Sequence, residues 1–466
     1  MRQTKTRLEL FSFYDHRGIA AHLERQARQG WMLDKIGNWG WKYRKIEPRE
    51  VKFYVTYFPK ASAYDPGPSE QEQTFRAYCE EAGWKLAASS AQLQVFYCDA
   101  PDPVPIETDA LLQVENIHAA AKRSTLFSHI LLGCLGLMQM TMWLVDLLKD
   151  PVRLLADYTG WFRGICWINL IALCAVEVIS YFVWHKKAKR LAEEEGTLHP
   201  TRSHRVFQTI SLIVVFSALF LWIVFMQSSF TMIVSAIMGV YMVVLISAVN
   251  GCRMLLKKWK VSTNTNRVVT ILVDIVLAFG MMGLITWGVL NLDIPDREPI
   301  ATYEYHGRTR EVYADELPVA VEDLLEVNVE GYSKELEVKE TLLAAIYDAS
   351  QTRRWDMDLD HQPTMNYRLA VSKVPALTRW FWNGWIDEYP DYGERLIAAD
   401  PAPWGAEEAY REWIGSDEGG NFSSTWFVRW EDRFVRLTAY RELTEAQMGI
   451  IADRLTQWPE GGSYGS

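Results

Sequence analysis

Two carboxylates, Glu177 and Asp274, sit inside apolar stretches long enough to cross a bilayer. An ionisable group in hydrocarbon costs about 2.5–3.5 kcal/mol on insertion scales, so each marks either a proton or cation site or a hydrogen bond to a neighbouring helix. Both lie toward the same end of their helices, so the pair could share a depth and line one polar path. A second acidic feature, Asp356-x-Asp358-x-Asp360, opens like a calcium loop. The position that should be glycine is His361 and the bidentate position is Tyr367, which favours a solvated turn. His306 and His361 have no spacing suited to a metal or a general base. Trp380, Trp382 and Trp385 form an aromatic run that reads either as a ligand or interface platform or as domain core. No phosphate loop, dinucleotide fingerprint, nucleophile elbow, HExxH or kinase set is present. The sequence therefore assigns no catalytic, cofactor-binding or metal residue, and the expectation is a protein that is not an enzyme.

The elements that must hold these residues are dominated by five apolar stretches, at 125–147, 162–184, 207–226, 230–249 and 268–290. Each reaches or approaches the ~20 residues needed to span ~30 Å of hydrocarbon. Positive charge alternates between the connections. Lys122 and Arg123 precede the first stretch, Lys186, Lys187, Lys189, Arg190, Arg202 and Arg205 separate the second from the third, and Arg253, Lys257, Lys258, Lys260 and Arg267 separate the fourth from the fifth. The other connections are balanced or uncharged. Lys and Arg in short loops mark the cytoplasmic face, so the pattern predicts a multi-pass protein of the cell membrane, amino terminus cytoplasmic and carboxyl terminus extracytoplasmic. Trp143, Trp161, Trp184, Trp259 and Trp287, near the stretch ends, fit interfacial aromatics. Ser235 and Gly239 have the small-xxx-small spacing of a helix contact. The amino terminus lacks the apolar core of a signal peptide, and the six cysteines have no CxxC or zinc spacing.

Three domains follow: 1–120, 121–292 and 293–466. Their charges differ sharply. Residues 1–124 carry 17 Lys and Arg against 16 Asp and Glu, residues 125–290 carry 14 against 8, and residues 291–466 carry 17 against 34. The acidic tail excludes direct nucleic-acid binding by that block, since phosphate neutralisation needs clustered cations.

The amino-terminal block reads as a repeat. An alternating RLELFSFYD segment leads into helical HRGIAAHLERQARQG, then an alternating pair of strands and, past Pro48-Arg49-Glu50, VKFYVTYF. A second helix, with Ser69 as N-cap and Glu72 completing a capping box, leads into WKLAASSAQLQVFYCD, read as one strand. Both helices end in Gly-Trp, at Gly30-Trp31 and Gly83-Trp84, followed by Leu33 and Leu86. The predicted order is βαββαβ, a ferredoxin-like α+β domain. Phe11, Phe13, Tyr14 and Asp15, the helix ending in Gly30-Trp31-x-Leu33, and the strands bearing Tyr43 and Phe53-Tyr54 resemble the domain of unknown function family 2812 over about residues 7–124. The resemblance implies a bacterial, Firmicutes-type membrane protein with a cytoplasmic module, often encoded beside PadR-type regulators. It carries over no functional residue.

The carboxyl-terminal block reads as α+β: strands within 303–313, helices over 318–327 and 333–349, a hairpin from 425–430 to 433–440, and a last helix opened by Thr444 and Gln447. Two soluble blocks on opposite faces predict a sensory, regulatory or scaffold protein linking an extracytoplasmic domain to a cytoplasmic partner. The alternatives are a transporter or transporter subunit using Glu177 and Asp274, which with five helices would need a homo-oligomer, and an envelope enzyme of unknown chemistry.

Overall fold

The computed structural model describes residues 3–37, 40–201, 203–225, 229–291, 298–357, 363–388, 394–416, 419–439 and 441–458. The chain divides into two compact units, one built from residues 1–138, 166–220 and 231–294, the other from 139–165, 221–230 and 295–466.

The first unit opens with a duplicated motif. Strand β1 (Thr4–Arg7), helix α1 (His16–Arg28), β2 (Trp31–Gly37) and β3 (Gly40–Lys45) form one copy. Strand β4 (Lys52–Tyr57), helix α2 (Glu70–Glu81), β5 (Lys85–Ser90) and β6 (Leu93–Cys98) form the other. Each copy makes its own three-stranded antiparallel sheet with the last strand in the middle, in the orders β1-β3-β2 and β4-β6-β5. The likeness extends to details. Gly30 and Gly83 end their helices at φ +80° and +87°, the left-handed region that glycine enters without a Cβ clash. Both copies then shift register at the matching leucine, between Leu33 and Lys35 and between Leu86 and Ala88.

This differs from the expected βαββαβ order of a ferredoxin-like domain. Residues 85–98 are two strands turning at Ala91, whose φ is +48°. Ser-Ser-Ala-Gln contains no glycine, asparagine or proline to announce a tight turn, so the hairpin is illegible by pattern. Ser69 caps α2 as expected by accepting from the Glu72 amide at 3.2 Å. The Glu72 carboxylate instead accepts from Gln94 Nε2 at 3.0 Å and from Arg76.

Among the described residues, five helices are long and apolar enough to cross a membrane. The first combines α3 (Ala110–Ala121) and α4 (Phe127–Lys149), joined by a π-helical turn over Lys122–Leu126. The others are α6 (Tyr158–Glu195), α7 (Arg205–Val224), α8 (Ser229–Lys258) and α9 (Thr263–Asn291), with the short α5 (Pro151–Leu155) before α6. Helices α6, α8 and α9 run past the apolar stretches where the segments with basic residues, Lys186–Arg190, Arg253–Lys258 and Thr263–Arg267, stay helical. Apolar side chains such as Leu131, Phe216, Val240 and Phe279 are exposed along the long helices. Helices α4 and α6 approach closely where a Cβ on Gly136 would lie 3.1 Å from Ile171 Cγ1. Gly239, expected to mark such a contact together with Ser235, has open space where its Cβ would be.

The head does not close its core by itself. Ile19, Leu23 and Ala27 of α1 pack on Phe53, Val55 and Tyr57 of β4, and the same cluster takes in Val114, Ile117, Ala120 and Ala121 of α3 and Tyr181, Trp184, Ala188 and Ala192 of α6. Trp184, expected at a lipid interface, is 4 % exposed within this core.

The second unit is a seven-stranded antiparallel sheet in the order β12-β13-β14-β15-β11-β10-β9. It follows a β7–β8 hairpin (Ala301–Tyr305, Arg308–Val312). The strands are β9 (Tyr332–Glu340), β10 (Ala344–Arg353), β11 (Met365–Ser372), β12 (Glu394–Ala399), β13 (Glu408–Ser416), β14 (Gly419–Arg429) and β15 (Arg433–Ala439), with α10 (Pro375–Glu388) before β12 and α11 (Glu445–Gln457) last. Side chains alternate between its faces. Ala345, Tyr347, Leu369, Val435 and Leu437 pack with Ile451 and Leu455 of α11. Ala344, Ile346, Ala370, Phe427 and Phe434 pack with Phe381, Trp382 and Trp385 of α10 and with Val152 and Ala156. The capping box of Thr444 and Gln447 opens α11 as expected, and the strands near 303–313 and 425–439 are present. The helices expected at 318–327 and 333–349 are absent. Residues 333–340 and 344–349 lie in β9 and β10, where pairing of β10 with β9 and β11 on a two-faced core overrides the helical propensity of the Glu, Lys, Leu and Ala residues. Val321–Asp323 is a single 3-10 turn.

Candidate functional site

In the first unit a cavity of about 470 Å3 lies between the loop before α1 and the helices α3, α4, α6 and α7. Its wall is mostly apolar and rich in leucine, including Phe11, Phe13, Leu132, Leu173 and Leu212, with Ser12, His129, Glu177 and Gln208 supplying polar groups. Glu177 projects from α6, and its Oε1 accepts from Ser12 Oγ at 2.8 Å and from Gln208 Nε2 on α7. It thus joins the head loop to two long helices. Asp274, its expected companion, lies exposed on α9 and does not line the cavity.

The loop reaches the cavity because it is held at both ends. Upstream, Glu9 is a buried hub: its side chain is 3 % exposed and meets His22 Nε2 at 3.0 Å, Tyr43 Oη at 3.1 Å and Arg205 NH2 at 3.0 Å. Burial alone would raise the Glu9 carboxyl, but the His22 and Tyr43 hydrogen bonds and the Arg205 guanidinium hold it below its ordinary value. Burial and the nearby Glu9 push the Tyr43 phenol up. Downstream, Asp15 caps α1 by accepting from the Gly18 amide at 3.0 Å and also accepts from Thr201 Oγ1. His16 follows, buried, with Nδ1 3.1 Å from the Tyr14 carbonyl and Nε2 without a partner. Desolvation lowers its pKa to about 4, so the imidazole is neutral at physiological pH. Tyr14 packs against Tyr181 and Trp184, with ring centroids 5.5 and 5.2 Å apart, and burial followed by the charge of Glu177 raises its phenol.

Residues 15–129 match a family described as "Protein of unknown function (DUF2812)". No curated protein and no solved structure matches the chain. The DUF2812 region supplies only part of the cavity wall, including Ile19, Trp41, Leu93 and His129. Glu177 and Gln208 lie outside it, Glu177 on α6, which shares the head's core with α3, and Gln208 on α7.

The remaining sequence candidates belong to the second unit. Trp382 and Trp385 are 2 % and 6 % exposed in the core beside Phe434, and Trp382 Nε1 donates to Glu408 Oε2 at 3.0 Å. Both are packing residues. Trp380 alone of the three reaches the surface, at 36 % exposure. Asp356 accepts two hydrogen bonds from the Arg354 guanidinium, at 3.1 and 2.7 Å, while Asp358, Asp360 and His361 lie outside the described residues. His306 occupies the β7–β8 turn at φ +51°. Among the described residues no cluster of His, Cys, Asp or Glu could hold a metal.

Sequence reading singled out Glu177 but missed Gln208, Ser12, Glu9 and Arg205. One signal was available: polar residues flanking apolar stretches, at Glu9 and Ser12 in an aromatic loop and at Arg205 and Gln208 where α7 begins. Periodicity does not pair them, because their partners are distant in the chain.

Proposed function

We propose that this chain is a sensory or regulatory membrane protein in which one long helix couples an extracytoplasmic domain to a cytoplasmic head. The observation that carries the reading is helix α6. Its first turns, through Ile165, belong to the carboxyl-terminal unit. Its last turns place Tyr181, Trp184, Ala188 and Ala192 in the core of the head. The segment leading into it contributes Val152 and Ala156 to the sheet domain's core, and Thr341 Oγ1 donates to the Leu155 carbonyl at 2.7 Å. The helix is continuous from Tyr158 to Glu195, with no loop between its two ends, and this continuity supports the proposed coupling.

Five crossings and the alternation of basic loops support a cytoplasmic amino terminus and an extracytoplasmic carboxyl terminus. On family resemblance, the partner proposed for the head is a PadR-type regulator. Removing residues 298–466 from the chain in native membranes is expected to change the set of cytoplasmic proteins cross-linked to the head. An unchanged set overturns the reading. Single cysteines placed at Lys5 and Glu445 are expected to react with a membrane-impermeant thiol reagent from opposite sides, and labelling from one side overturns it as well.

A further inference from the structure

We infer that the cavity of the first unit binds a lipophilic primary amine, its ammonium against Glu177 and its apolar body among the leucines. This assignment stands on the cavity alone and does not rest on the signalling role. The volume of about 470 Å3 falls in the range of small-molecule sites, which are mostly apolar with a few placed polar groups.

The polar groups define the chemistry. Glu177 is a carboxylate whose donors, the Ser12 hydroxyl and the Gln208 amide, are both neutral. Gln208 turns its NH2 toward that carboxylate, which leaves its own Oε1 buried and without a donor. Among the described residues no Lys or Arg lines the cavity, and the other acid, Glu9, is already paired with Arg205 and His22. Around Glu177 the site thus sets a carboxylate and an amide oxygen with no donor beside neutral groups, and no cation of the described chain faces them. A carboxylate in low dielectric is stabilised by a cation that also hydrogen-bonds it. A primary ammonium brings a charge and three N–H donors.

The competing classes fit less well. A fatty acid would set a second carboxylate against Glu177. An alcohol offers one donor and no charge, and a quaternary ammonium has charge without N–H. Phosphatidylethanolamine has the right amine, but its phosphate would enter a site lined by no Lys or Arg.

The test uses the full chain in phosphatidylcholine nanodiscs and tritiated octylamine, with counts from empty nanodiscs subtracted. Saturable binding is expected, weakened about tenfold or more in Glu177→Gln. Leu173→Trp, which fills the cavity and leaves Glu177 in place, is expected to abolish binding. In the unmodified chain, octylamine is expected to slow modification of Glu177 by a hydrophobic carbodiimide, read by mass spectrometry. Octanol and octyltrimethylammonium are expected to compete weakly and octanoate not at all. Absence of saturable binding, equal affinity in both variants, no protection of Glu177, or equal displacement by octanoate overturns the proposal. Displacement by phosphatidylethanolamine in the nanodisc overturns the assignment to a free amine.

Discussion

The head and the sheet domain are both antiparallel sheets covered by helices, yet they complete their cores differently. The sheet domain has seven strands in one layer and its own helices, α10 and α11, on its two faces. From the segment joining α4 to α6 it takes only Val152 and Ala156 among the buried members of its core. The head has two sheets of three strands, and eight buried members of its main cluster come from α3 and α6. Small sheets bury too little surface to stand alone, so the head depends on long helices for its interior. The sheet domain therefore completes its core with its own helices and with the segment before α6, which belongs to the same unit. The head is an extension of the helices and should respond to whatever moves them.

The largest expected effect tests the independence of the sheet domain. Trp382→Ala removes a fully buried indole between α10 and the sheet and is expected to cost about 3–5 kcal/mol there. Limited proteolysis should show residues 298–458 becoming sensitive while fragments of the head stay protected. Equal loss of protection in the head would erase the distinction between the two regions.

Next comes acidity. His16 is held neutral in the folded head with a pKa of about 4, against an ordinary value of 6.5. Once the pH falls below 6.5 the unfolded chain takes up a proton that the folded chain refuses, so stability is lost progressively down to pH 4, by about 3 kcal/mol in all. The protection factors of the α1 amides, that is exchange rates corrected for the intrinsic slowing of exchange with acidity, should fall over this window. In His16→Gln that fall should be absent, and a profile unchanged by the substitution would remove histidine as the cause.

The smallest effect sharpens the link between head and helices. Ser12→Ala deletes one neutral hydrogen bond to Glu177 and is expected to cost about 1 kcal/mol. Exchange should rise at the loop before α1 and leave β10 and β11 unaffected. Protection lost throughout the head would show that the loop anchors the fold rather than only the cavity.

How much of this was legible follows the range of the interactions. Hydropathy is a local property, so the five long helices could be read directly. Short-range chemistry was also readable where a residue type has one strong use, as at Gly30 and Gly83, at the Ser69 cap and at the Thr444 capping box. The division of 85–98 into two strands was hidden because Ala91 takes a conformation its type does not announce. The strands at 333–349 were hidden because β9 and β10 owe their form to pairing with each other and with β11, which propensity cannot see. Trp184 shows the same limit: a tryptophan near the end of an apolar stretch suits a lipid interface equally well, and only the packing of Tyr14 on it places it inside the head. At the cavity, Glu177 stood out because a carboxylate in an apolar run is costly wherever it points. Its partners Ser12 and Gln208 are cheap residues in ordinary positions.

The wide turn at Lys122–Leu126 has a mechanical consequence. A π-turn accommodates about one residue more than an α-turn, and each residue advances an α-helix by roughly 100°. Were that turn to tighten without any change in sequence, α4 would swivel by about that angle against α3. The π-turn thus sets the angular register of α4 against α3 where the head meets its first long helix, with no loop between them.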